Sequence, residues 1–141
     1  MNPFDKITAA ATSGMRAQAQ RLQVVSENIA NADTHGYKRK QISFENIYDR
    51  AEDVTRVQVG RMSLDQKPGE RVFDPHHPLA DENGYVVMSN VNMMTEFADA
   101  REAMNAQLEA KNEKVSLNDL IIYRHYFGAK FSGVFTALNA K

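Results

Sequence analysis

One stretch near the N-terminus constrains the fold most: Ser26-Glu27-Asn28-Ile29-Ala30-Asn31-Ala32-Asp33-Thr34-His35-Gly36-Tyr37-Lys38-Arg39. Its first half finishes an amphipathic helix. Its second half stops that helix and turns the chain into extended backbone. Asn28 and Asn31 lie three apart, so a helix sets them on one face. Ala30 and Ala32 beside them let another backbone come close. Asp33, Thr34 and Gly36 are stop residues, and Gly36 adopts positive φ at little cost. The stretch holds no nucleophile with a base and no metal-ligand spacing. It reads as an assembly device, a helix end whose amides bond across to a neighbouring helix.

The helix that ends there is predicted over residues 2–32. Asn2 is a suitable N-cap, Pro3 fits the first helical position, and Asp5 complements the dipole. Phe4, Ile7, Ala11, Met15, Leu22, Val25 and Ile29 recur at steps of three and four, with Gln18 in the missing place. So narrow a stripe is a coiled-coil-like seam. Ser13 and Gly14 weaken the helix locally. Lys40 to Arg50 reads as an extended exit and a loop, its aromatics pinning it to the base of the helices.

From Val54 the pattern alternates. Val54–Val59 is β-rich, Met62 and Leu64 alternate with polar residues, and Pro68-Gly69 marks a turn. Arg71-Val72-Phe73 then returns as a second strand. Asn83-Gly84 is a hairpin-type turn before the strand Tyr85–Met88. Residues ~50–89 thus hold three to four strands. A second helix is expected from residue 91, with a seam at Met94, Phe97, Arg101, Met104, Leu108 and Lys111. A new cap at Ser116 and a seam of different phase from Leu117 to Leu138 place a kink or break near 113–116. The expected fold is α+β: long N- and C-terminal helices form a coiled-coil-like pair, and a small β-rich domain is inserted between them. The parts are 1–39, 40–89 and 90–141.

Composition narrows the function. The chain has 141 residues and a formal net charge of −1, so no overall field draws it to nucleic acid or anionic lipid. It has no cysteine, which excludes disulfides, thiolate zinc sites and cysteine nucleophiles. No apolar run approaches the ~18 residues of a membrane span. The start, Met1-Asn2-Pro3-Phe4-Asp5-Lys6, lacks a basic segment followed by an apolar core, so no cleaved Sec-type signal is expected.

Candidate chemistry is sparse. His76 and His77, with Asp74 and Asp81 nearby, are the one tempting metal or hydrolytic set. Adjacent histidines point apart, however, and a metal needs three or four convergent ligands. A polar loop between prolines is the simpler reading. Lys38-Arg39-Lys40 is either a contact for acidic surfaces or headgroups, or a solvated turn. No cofactor is expected. A small metal-dependent hydrolase using His76, His77 and Asp81, and a cytosolic helical adaptor, stand as the alternatives to a structural subunit.

The stretch Asn28-Ile29-Ala30-Asn31-Ala32-Asp33-Thr34-His35-Gly36-Tyr37-Lys38-Arg39 resembles the N-terminal motif of the bacterial flagellar rod and hook family of axial proteins. His77-Pro78-Leu79-Ala80-Asp81, Asn83-Gly84-Tyr85-Val86 and Met88-Ser89-Asn90-Val91-Asn92 resemble the proximal rod group of that family. The resemblance runs from residue 3 to about 103. Beyond it Arg101 is present, but residues 104–112 lack the family's tyrosine. The resemblance implies a structural rod subunit of the basal body and no enzyme. It implies export without cleavage through the flagellar type III apparatus to the periplasmic rod. It also implies helical assembly with its own copies and other rod proteins, next to the export apparatus and membrane ring complex. Leu22, Val25, Asn28, Ile29, Asn31, Thr34, Gly36 and Tyr37 would then lie at subunit interfaces, with Asn90, Asn92 and Arg101 completing them.

Overall fold

In the computed structural model, which describes residues 2–127 and their side chains to residue 112, two helices enclose a run of short strands. The order is α1 (Pro3–Ala30), β1 (Lys40–Gln41), β2 (Phe44–Asp49), β3 (Val54–Val59), β4 (Ser63–Leu64), β5 (Arg71–Phe73), β6 (Tyr85–Val87) and α2 (Met93–Phe127). This is the expected α+β plan.

Helix α1 starts as its sequence requires. The Asn2 side chain accepts the Asp5 N–H at 2.9 Å, and proline occupies the first turn. Helix α2 is capped by Asn92, whose side chain accepts the N–H groups of Met94 at 3.0 Å and Thr95 at 3.3 Å. The helices run antiparallel: the Gln107 amide donates to the Met15 carbonyl, Arg21 pairs with Asp99 and Glu102, and Asn28 meets Glu96. The chain stays helical through residues 113–116, so the expected break there is absent. The seam expected over Leu117–Leu138 lies outside the described side chains.

Helix α2 corrects the seam assignment. The side turned to α1 carries the fully buried Glu96 and Ala103, not the large apolar residues. Met94, Phe97, Met104 and Leu108 point outward, between 50% and 77% exposed. Alanine gives a weak hydrophobic signal but permits a close helix approach, and the ionic bonds at Glu96 and Asp99 fix the rotation of α2.

The strands form three antiparallel pairs rather than one sheet: β1 with β4, β2 with β3, and β5 with β6. Two expectations change. Residues 44–49 are a strand, paired in register from Phe44↔Val59 to Asp49↔Val54, and Phe44, Ile47 and Tyr48 are exposed instead of pinned under the helices. Strand β5 does not return on the Met62–Leu64 region; it pairs with β6, Phe73 opposite Tyr85. The Asn83-Gly84 turn closes that hairpin as expected.

Ser13, read as a weak point of α1, has a structural role. Its hydroxyl donates to the Ala10 carbonyl at 2.7 Å and accepts the Val57 N–H at 2.9 Å, closing the outer edge of β3 against the helix. At the far end of the same hairpin Lys6 reaches Asp53 at 2.6 Å, and Tyr48 donates to the same carboxylate at 2.6 Å.

Candidate functional site

The junction between helix pair and strands is built by the stretch that opens the sequence argument. Asn28 is 1% exposed and lies in the last turns of α1. Its oxygen accepts the Lys40 N–H at 2.9 Å and the Tyr37 hydroxyl at 3.1 Å. Its nitrogen donates to the Lys40 carbonyl at 3.0 Å and to Glu96 Oε2 at 3.2 Å. A primary amide has two donors and two acceptor lone pairs, and here all four are used. The side chain therefore ties the end of α1 to the exit strand and to the first turn of α2.

Glu96 brings a buried charge to this point. Its other oxygen takes the Arg39 Nε–H, and Arg39 also reaches Asp99 at 2.8 Å. Arg21 continues the chain of charges, to Asp99 at 3.0 Å and Glu102 at 3.2 Å. Burial works against the Arg39 cation, but the hydrogen bond and charge of Glu96, then Asp99 and Asp65, outweigh it and hold the guanidinium above its usual range. Burial likewise pushes the Tyr37 phenol up, with Lys40 opposing and Glu27 and Glu96 adding to the rise. Glu96 also sits at the positive end of α2, where a carboxylate is favoured.

The other motif residues finish the turn. Asn31 closes α1: its N–H bonds Glu27 and Asn28 carbonyls, its side chain donates to the Glu27 carbonyl at 2.8 Å, and it accepts the Thr34 hydroxyl at 3.1 Å. Asn28 and Asn31 thus do not act as a pair reaching across one face; the helix ends between them. Gly36 takes φ +70° and donates its N–H to the Val87 carbonyl at 3.0 Å, joining the stop to β6. Ser89 donates to the Ala32 carbonyl beside it. Asn90 stitches three segments, accepting the Arg39 N–H at 2.6 Å and donating to the carbonyls of Asp65 and Lys67, both at 2.9 Å. Leu22 and Ile29 are half-buried and Val25 is buried at 4% exposure. Arg101 is exposed on the outward side of α2, away from this junction.

Arg39 and Lys40, expected to meet acidic surfaces or headgroups or to lie in a solvated turn, instead pair with acids of their own chain, Arg39 with Glu96 and Asp99 and Lys40 with Glu27; Glu96 was not among the candidate residues. Glu96 was legible only as an acid in a first helical turn. Its placement one turn before Asp99, with Glu102 following, was the available hint of a cationic partner across the helix pair.

The histidine set does not form a site. His77 accepts the Leu79 N–H at 3.0 Å, and its ring lies 4.4 Å from that of His35. Asp81 braces the hairpin turn through the N–H groups of Asn83 and Tyr85, both at 2.9 Å, and through Arg71 at 2.6 Å. The Tyr85 hydrogen bond, then those of Asn83 and Arg71, hold the Asp81 carboxyl below its ordinary range against the effect of burial. Among the described residues no group of three histidines or carboxylates could hold a metal ion. The metal-dependent hydrolase reading is not supported.

Comparison with known proteins takes in most of the same stretch. Residues 9–38 match the family described as Flagella basal body rod protein. The chain is 43% identical over 110 residues to the flagellar basal-body rod protein FlgC of Agrobacterium fabrum, covering 73% of this chain and 79% of that protein. It is 35% identical to the FlgC protein of Yersinia enterocolitica and 33% identical to that of Salmonella typhimurium, each over 126 residues, covering 83% of this chain and 91% of each relative.

Proposed function

The chain belongs to the family of flagellar basal-body rod proteins, and we propose that this structural rod subunit packs helically with its neighbours in the proximal rod and passes torque along them. The observation that carries the reading is the four-way junction at Asn28. A torque-bearing subunit needs its helices and its lateral β region held at a fixed angle, and a buried, fully bonded polar hub sets such an angle. The motif residues from Leu22 to Tyr37, with Asn90 and Asn92, then act on the subunit interface by fixing the shape presented to it. Head-to-tail contacts between such subunits do not close into a ring and so extend as a helix.

The subunit reaches the periplasmic rod through the flagellar export apparatus and lies beside the membrane ring complex. Immunogold labelling of purified basal bodies tests the rod placement, and secretion assays in cells lacking the export apparatus test the route. Label along the proximal rod, and secretion lost with the apparatus, are the expected results. Absence of the chain from basal bodies of motile cells overturns the rod role.

A further inference from the structure

Two imidazoles meet where the turn that stops α1 passes the loop of the β5–β6 hairpin. His35 precedes Gly36 in the turn, and His77 lies in the loop between Phe73 and Tyr85. Their ring centroids are 4.4 Å apart, with the planes inclined by 39°. His35 is exposed and His77 half-buried, so solvent protons reach both. Neither ring takes part in the junction at Asn28.

The contact suits neutral rings alone. Leu79 donates its N–H to His77 Nδ1 at 3.0 Å, so that nitrogen carries a lone pair and no proton. An imidazolium has two N–H donors and no acceptor, and would turn a donor against the Leu79 N–H. A second proton, on His35, would set like charges ring against ring. No neighbour absorbs that charge: among the described residues no histidine is in an ion pair. Asp33, Asp74 and Glu82, the exposed acids of these two segments, form none either. Asp81 is held by Arg71 and by the N–H groups of Asn83 and Tyr85. On the turn side the nearest cation in sequence, Lys38, bonds Gln66, and His76 is exposed beside its neighbour.

We propose that His35 and His77 form a proton-operated latch, which docks the 74–80 loop on the helix stop while the rings are neutral and releases it when they are protonated. The release is local. Gly36 stays bonded to Val87 and Ser89 to Ala32, so the base of the hairpin keeps its place. What opens is the turn closed by the His77 N–H on Asp74 at 3.1 Å and the Ala80 N–H on His77 at 3.0 Å. The closed loop holds unprotonated rings and the open loop takes up protons freely. The latch is therefore firm in neutral solution and loosens as pH falls through the range, about pH 8 to 5, in which histidine ordinarily changes charge. The Asp81 carboxyl, held below its ordinary range, stays charged through that window and is not the trigger. The latch belongs to the single chain and goes beyond the rod reading, on which it does not depend.

Amide exchange of the purified full chain tests this, read as protection factors at about pH 7.5 and about pH 5. Protection at Leu79 and Ala80 should fall about tenfold on acidification, while that along β3 (Val54–Val59) changes by less than about twofold. His77→Asn sets an amide oxygen near the position of Nδ1 and does not titrate. It should keep its neutral protection at Leu79 and change by less than about twofold in acid. His35→Phe keeps a ring and removes one charge, so the fall should shrink to about threefold, the part owed to His77 alone. Should His77→Asn lose protection already at neutral pH, His35→Phe decides alone. A native fall below about twofold, or an undiminished fall in the deciding variant, overturns the latch and leaves the rod role untouched.

Discussion

The Asn28 side chain bonds the main chain of Lys40 as a neighbouring strand would, accepting its N–H at 2.9 Å and donating to its carbonyl at 3.0 Å. One amide thereby converts the end of a helix into the edge of a strand pair. Neither isostere reproduces this: aspartate lacks the donors, and leucine lacks both donors and acceptors.

Asn28→Leu should therefore destabilise the isolated chain more than any single change in the motif. It leaves the Lys40 main chain and Glu96 short of partners in a buried place, at about 1–3 kcal/mol for each unmet group. Asn31→Leu loses only a helix-end bond near solvent and should cost about 1 kcal/mol. Urea unfolding of the purified variants checks the order; equal losses would show that the junction bears no special load.

The Arg39–Glu96 pair makes a second prediction. Glu96→Leu alone leaves the half-buried Arg39 with Asp99 as its remaining anion and should cost about 1.5–3 kcal/mol, the loss of a charged hydrogen bond. Arg39→Met in the same chain should recover much of that loss, because removing both charges relieves the desolvation. A double-mutant cycle measures the coupling, and strict additivity would contradict the pairing.

Two glycines should respond oppositely to alanine. Gly14 faces open space within α1, so Gly14→Ala should stabilise by about 0.5–1 kcal/mol. A Cβ at Gly69 would overlap the Met88 carbonyl oxygen, next to the place where Met88 donates its N–H to Glu70. Gly69→Ala should cost about 1–3 kcal/mol. Thermal melts of the two variants should move in opposite directions.

Acid should loosen the β2–β3 turn. The hydrogen bond from Lys6, then that from Tyr48, hold the Asp53 carboxyl below its ordinary range. A depressed folded value means that the unfolded chain binds the proton more readily. The stabilisation is therefore present above about pH 4, the ordinary carboxylate value, and is lost as pH falls through the folded one. Amide signals of residues 48–55 should shift in that acid window. Asp53→Asn keeps a residue tolerant of the φ of +51° and should remove the part of the shift centred on residue 53, leaving the part from Asp49, whose carboxyl the N–H groups of Glu52 and Ala51 also hold below its ordinary range.

Much of this fold is legible in the sequence because local rules and tertiary structure agree. Asn2, Gly36 and the Asn83-Gly84 turn act where their chemistry places them. The misreadings come from places where local signal and packing separate. The heptad at Met94–Lys111 is real, but it marks the outward side of α2. The inward side rests on Ala103 and Glu96, neither of which gives a hydrophobic signal. Strand β2 was missed because charges interrupt its apolar residues and its exposed side gives no clean alternation. The partners of Asn28 lie 9, 12 and 68 residues away, beyond the reach of any local helical pattern.

Among the described residues only Ala17, Val25, Val54, Val86 and Ala103 are buried apolar side chains. A chain with so thin an interior resists bending poorly by itself and gives way under a modest pull. Its rigidity is lent by what surrounds it. The same subunit can be soft as a single thread and hard as one stave in a barrel, with no change in its own covalent or folded plan.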